Sequence, residues 1–167
     1  QASTATQFSV TGTNMQAGVL ITSPAGFEVS VNDINYAPTT TLGSSGAISG
    51  TVYIRLAASA GYGNYSGNIS LSSAGATAVN VAIGNSSVSK RSLTITANNV
   101  NKTYGQALTD GTGVTTFTSN GLQNGETIGS VTVVYGTGAA STSAVGTYTG
   151  SVTPSAATGG TFNASNY

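Results

Sequence analysis

An all-β fold, two antiparallel β-sandwiches in tandem, is what this sequence predicts. Three observations carry the prediction. Short segments alternate apolar and polar residues with a period of two, the repeat of a half-buried strand. No window supports a helix of ten or more residues. The 23 glycines are spread through the gaps between the alternating segments, where turns need them.

Along the chain, the first expected strands cover residues 7–11, 17–22 and 26–31. The clearest is Thr51-Val52-Tyr53-Ile54-Arg55-Leu56, which puts Val52, Ile54 and Leu56 on one face and Thr51, Tyr53 and Arg55 on the other. Residues 68–72 and 79–83 alternate in the same way. A polar run over 84–91 follows, ending on Lys90-Arg91, and the domain boundary is expected there, giving units 1–88 and 89–167. The second unit is expected to hold strands at 93–96, 114–119, 131–135 and 147–152, with turns at Asn120-Gly121 and Asn124-Gly125. Strands repeating every roughly 8–12 residues are the signature of β-sandwiches. Each unit is near the lower size for an independent core without disulfides or metal.

The chain has no Cys, His or Trp, and only eight charged residues. The acids are Glu28, Asp33, Asp110 and Glu126; the bases are Arg55, Lys90, Arg91 and Lys102. Nucleophilic and acid–base catalysis need an activated nucleophile and a base, so no catalytic residue, cofactor or metal site is expected. Zero net charge leaves no electrostatic footprint for nucleic acid or an anionic membrane. No run of 18 apolar residues is present, so no transmembrane helix is expected. The opening Gln1-Ala2-Ser3-Thr4 lacks Met and a leader pattern, so the chain is expected to be a mature or excised piece of something longer.

Residues from about 92 onward resemble the MBG domain, an Ig-like repeat of bacterial surface proteins. The likeness rests on Leu93-Thr94-Ile95-Thr96-Ala97-Asn98-Asn99, Lys102-Thr103-Tyr104-Gly105, Phe117, Gly121-Leu122-Gln123-Asn124-Gly125-Glu126-Thr127, Val145-Gly146-Thr147-Tyr148 and Asn166-Tyr167. The first half is similar to another Ig-like module of large secreted and adhesin-type proteins. Here the residues are Phe8-Ser9-Val10-Thr11-Gly12-Thr13-Asn14-Met15, Pro24-Ala25-Gly26-Phe27-Glu28-Val29-Ser30, Val52-Tyr53-Ile54-Arg55-Leu56 and Tyr65-Ser66-Gly67-Asn68-Ile69. The resemblances imply two tandem immunoglobulin-like antiparallel β-sandwiches in an extracellular, cell-surface structural protein: an adhesin stalk or a filament. They imply no catalytic residues. Against the family patterns, the first module lacks its first strand and the second its last. A sandwich short of a strand exposes an unpaired edge and an apolar groove. Two readings follow: the chain is a window cut from a longer repeat array, or copies of it join by strand addition, residues 1–10 filling a neighbour's second unit with Gln7, Phe8 and Val10 in the inserted segment.

Three further stretches of the sequence invite a binding reading. Asn32-Asp33-Ile34-Asn35 and Asn124-Gly125-Glu126 each offer one acid where calcium wants six to eight oxygens, so turn chemistry is the expected role. Tyr62, Asn64 and Tyr65 could form a glycan-stacking platform, the rival reading being a Tyr that packs at a sandwich corner. Surface glycans are the alternative partner that platform would serve. Lys102 is expected to be solvated, and Tyr104, Tyr148 and Tyr167 to be structural.

Overall fold

The structure is a computed structural model that describes residues 1–167. It is all-β with antiparallel sheets throughout, as the alternation predicts. The chain forms two compact units, Gln1–Ser89 and Lys90–Tyr167.

Unit 1 holds β1 (Thr6–Met15), β2 (Val19–Thr22), β3 (Phe27–Ser30), β4 (Thr39–Leu42), β5 (Gly46–Leu56), β6 (Gly63–Ser72) and β7 (Val79–Val88). They make two sheets, in the orders β1-β5-β3 and β4-β2-β6-β7. The inward residues of β5 are Ile48, Val52, Ile54 and Leu56, each buried. They meet Val19 and Ile21 of β2, Phe27 and Val29 of β3, and Ile69 and Leu71 of β6 in one core. Full burial of each such side chain contributes roughly 1.5–3 kcal/mol. Gly50 shares the inward face of β5, and a Cβ there would lie 2.6 Å from Leu42 Cδ1. The missing side chain is what lets Leu42 close over the core. β4 was not anticipated: Thr39-Thr40-Thr41 shows no apolar alternation, and its pairing with β2 is what makes it a strand.

The registers place the first and last strands of unit 1 at one pole. β1 starts with Thr6 opposite Ile54, and Phe27 at the start of β3 faces Leu56. β7 ends with Val88 opposite Gly63, close to Tyr65, whose ring meets Phe27 edge-on at 6.4 Å. Six traverses of the sandwich, β3 and β4 sharing one, bring the chain back to the end where β1 began.

Unit 2 holds β8 (Thr94–Ala97), β9 (Gly111–Val114), β10 (Phe117–Asn120), β11 (Ile128–Tyr135) and β12 (Val152–Gly160), with a short 3-10 turn at Ala164–Asn166. β10 pairs with β8, and the order of the other sheet is β12-β11-β9. Only Val131 and Val133, both on β11, are buried hydrophobics here. Leu93, Ile95, Phe117, Ile128 and Phe162 are half-buried, and Val145 is 91 % exposed. Pro154 lies on the edge strand β12, the kind of strand in which a sheet tolerates proline.

Two expected strands differ from the fold. Residues 114–119 are split between β9 and β10, which join different sheets. Residues 147–151 form a turn: Ser151 Oγ donates to Tyr148 O at 2.9 Å and Gly150 has φ +69°, so the strand begins only at Val152.

Candidate functional site

The ionisable side chains are spent on internal bonds. On the outer side of β3 and β5, Glu28 and Arg55 are direct cross-strand partners, and Arg55 Nε donates to Glu28 Oε1 at 2.6 Å. The Arg55 guanidinium also lies 3.6 Å from the centre of the Tyr36 ring, a cation–π contact. The Tyr36 hydroxyl donates to Asp33 Oδ1. Partial burial and then the hydrogen bond to Asp33 push the Tyr36 phenol up to about 12.

That shift sets an alkaline limit. An unfolded tyrosine titrates near pH ~10, so the folded state holds the proton more tightly. The stability this confers is complete below that value and is lost as pH rises through about 12. The Tyr167 phenol is also raised, by its hydrogen bond to Glu126, so a tyrosinate-absorbance titration should show more than one phenol ionising late in the folded protein, and Tyr36→Phe should remove the step at about 12. A Tyr36→Phe curve identical to the parent would refute the assignment.

The Asn32–Asn35 loop is built by turn chemistry. Asn32 Oδ1 accepts from Ser30 Oγ at 2.9 Å, Ile34 N at 3.0 Å and Asn35 N at 2.9 Å. Asp33 takes a left-handed φ of +58°, a conformation Asp tolerates. Ile34 stands at the tip, 78 % exposed.

In unit 2, Lys102 is half-buried rather than solvated. Its Nζ donates to Gln106 O at 2.9 Å and to Ala140 O, binding two loops through carbonyls that strands do not use. Between them Thr103-Tyr104-Gly105-Gln106 makes a tight turn: Gln106 N donates to Thr103 O at 3.0 Å, with Gly105 at φ +92° in the third position. That is type II geometry, which asks for glycine there. Asp110 Oδ1 accepts from Tyr135 N at 2.8 Å. The Tyr167 hydroxyl donates to Glu126 Oε2 and accepts from Gln123 N at 3.0 Å. Lys90 Nζ donates to Tyr167 O at 3.1 Å. Seven of the eight charged side chains are thus bonded within their own unit; the eighth, Arg91, is exposed, and its guanidinium enters no hydrogen bond.

Beside Arg91 lies an open groove of about 610 Å³ in unit 2, with Leu93, Ala157, Phe162, Ala164 and Tyr167 along its walls. It borders β12 and the residues leading into β8, whose outer edges carry no partner strand.

The other expected site residues are placed as follows. Gln7, Phe8 and Val10 lie in β1, opposite Tyr53, Val52 and Gly50 of β5 in the same unit. Phe8 and Val10 pack against the core of unit 1, and Gln7 points outward. Tyr65 is packed against the same core, and its hydroxyl donates to Gly61 O at 2.8 Å. Asn64 is exposed on the opposite face of β6, so the fold does not bring Asn64 and Tyr65 to one surface. Tyr62 is 54 % exposed. Tyr148 donates to Ala144 O at 2.7 Å, whereas Tyr104 is 67 % exposed at the tip of its turn. Nothing periodic in the sequence marks the groove or the unbonded Arg91; the adjacent Lys90-Arg91 pair is their one trace there, and by itself it marks only a boundary.

Residues 93–167 match the family model of the MBG domain (YGX type). Unit 2 is therefore MBG-like. Tyr104-Gly105-Gln106 lies within the matched span, at the glycine-dependent turn held by Lys102. The match points to a surface-protein domain of the adhesin type, a non-enzymatic family. No curated protein and no solved structure matches the chain. No helix of the MBG-like unit or of unit 1 is long and apolar enough to cross a membrane.

Proposed function

We propose that the chain is a structural module of an extracellular adhesin-type stalk or filament, and that its partners are copies of itself. The observation that carries this reading is the use of seven of eight charged side chains as staples between strands and loops. A protein evolved to transform or carry a ligand keeps convergent polar groups at a pocket; this one ties them into its scaffold. The MBG match over unit 2 supports the same reading.

In its finer form, copies join by strand addition through Gln7, Phe8 and Val10. β1 is an edge strand, hydrogen-bonded on one side to β5. To act in a neighbour it leaves that place, withdrawing Phe8 and Val10 from the core they pack against. Addition is then an exchange, favoured when the neighbour's site returns the same burial.

A disulfide lock tests the exchange. Gln7 and Tyr53 are directly opposed on the outer face, within the Cα separation that a disulfide spans, and the chain has no cysteine of its own. The Gln7→Cys/Tyr53→Cys variant should assemble when reduced and stay monomeric when oxidised, as followed by sedimentation and electron microscopy. Equal assembly in both states would rule out joining through β1.

A further inference from the structure

Unit 1 gathers all three of its charged residues, Glu28, Asp33 and Arg55, around one loop. The loop is held by Asn32 from below and by Tyr36 from the side, and what it displays is Ile34. A loop ordered in advance loses little freedom on binding. An exposed aliphatic side chain on such a loop has the form of an anchor.

We propose that this loop docks into the groove of the MBG-like unit of a second copy, with Ile34 against Leu93 and Phe162 and Asp33 facing Arg91. Two observations select a second copy as the occupant. Unit 1 carries one base against two acids, a net charge of −1, and unit 2 carries three bases against two acids, a net charge of +1. Arg91 on the groove is the one charged side chain without a hydrogen bond in its own chain, and Asp33 sits next to the anchor. At about 610 Å³ the groove has room for the loop tip as well as the isoleucine. Loop and groove are different surfaces, so the contact is heterologous: each copy offers a knob to one neighbour and a groove to another, and the series continues without closing. The inference rests on the reading of the chain as a self-assembling module, but not on β1 exchange.

The cysteine-free chain allows a direct test. Copies carrying Ile34→Cys are mixed with copies carrying Ala164→Cys under mild oxidation, with Gln7→Cys plus Ala164→Cys run alongside for the strand as occupant. The expected result is a disulfide-linked pair from the first mixture that exceeds any self-linked product. Self-association by sedimentation without that link overturns the inference and leaves the module reading standing. A link from the Gln7→Cys mixture instead overturns it in favour of β1, and no association of any kind overturns both. Complementation gives an independent readout. Ile34→Ser and Arg91→Glu, both at exposed positions, should each weaken association by roughly tenfold or more. Their mixture should form pairs that grow no further, because one intact knob meets one intact groove. Assembly of Ile34→Ser at the parent's level would overturn the proposal.

Discussion

Val131→Asp should unfold unit 2 and leave the melting transition of unit 1 in place. Val131 is 1 % exposed and Val133 2 %, and they are the two buried hydrophobics of that unit. A core in a domain of this size rarely contributes more than ~3–5 kcal/mol. An unpaired carboxylate in that position, added to the lost valine packing, costs about that much or more. Unit 1 keeps a separate core of ten buried side chains, so its transition has no reason to move. Calorimetry on the intact chain should show one transition lost and one retained. If both transitions fall together, the two units do not fold independently.

Gly26→Ala should destabilise unit 1 by about 2–5 kcal/mol. Gly26 has φ +82°, a region that costs an L-residue about 1–2 kcal/mol. A Cβ there would also lie 2.2 Å from the Tyr65 ring, and forcing a packed aromatic aside costs a further ~1–3 kcal/mol. The two costs are separable. In a Tyr65→Ala background the collision is gone and only the backbone term remains, so the double-mutant cycle should show a coupling of roughly 1–3 kcal/mol. A coupling near zero, read from chemical denaturation of all four variants, would show that the ring shifts freely and is not fixed at that corner. The same cycle bears on the glycan reading. Tyr65 is structural enough that its removal would impair binding through the fold, so Tyr62 is the residue on which a glycan test should turn.

Alternation made the core of unit 1 readable from the sequence. Val52, Ile54 and Leu56 face inward as their spacing requires, because a strand offers no other way to bury them. What stayed hidden depended on partners distant in the chain. β4 is a strand because β2 lies beside it, and Thr39-Thr40-Thr41 carries no sign of that. Glu28 and Arg55 meet only through the register of β3 and β5. Lys102 looked like a solvated lysine because nothing local marks Ala140 O as its acceptor. Tyr62, Asn64 and Tyr65 looked like one platform because they are neighbours in sequence, but strand alternation separates Asn64 from Tyr65. The groove was invisible for a related reason. Leu93, Ala157 and Phe162 come from segments far apart, and no periodicity links them.

The shared pole of β1 and β7 decides how unit 1 answers a pull. Traction on Thr6 and Val88 acts at the same end of the sandwich. Ladder bonds run across the strands, so such a pull peels them open one pair after another, like a zip, rather than shearing a whole row at once. Zips part under little tension. Between those two points unit 1 is a compliant element that lengthens in small steps, well before any of its sheets is strained as a whole.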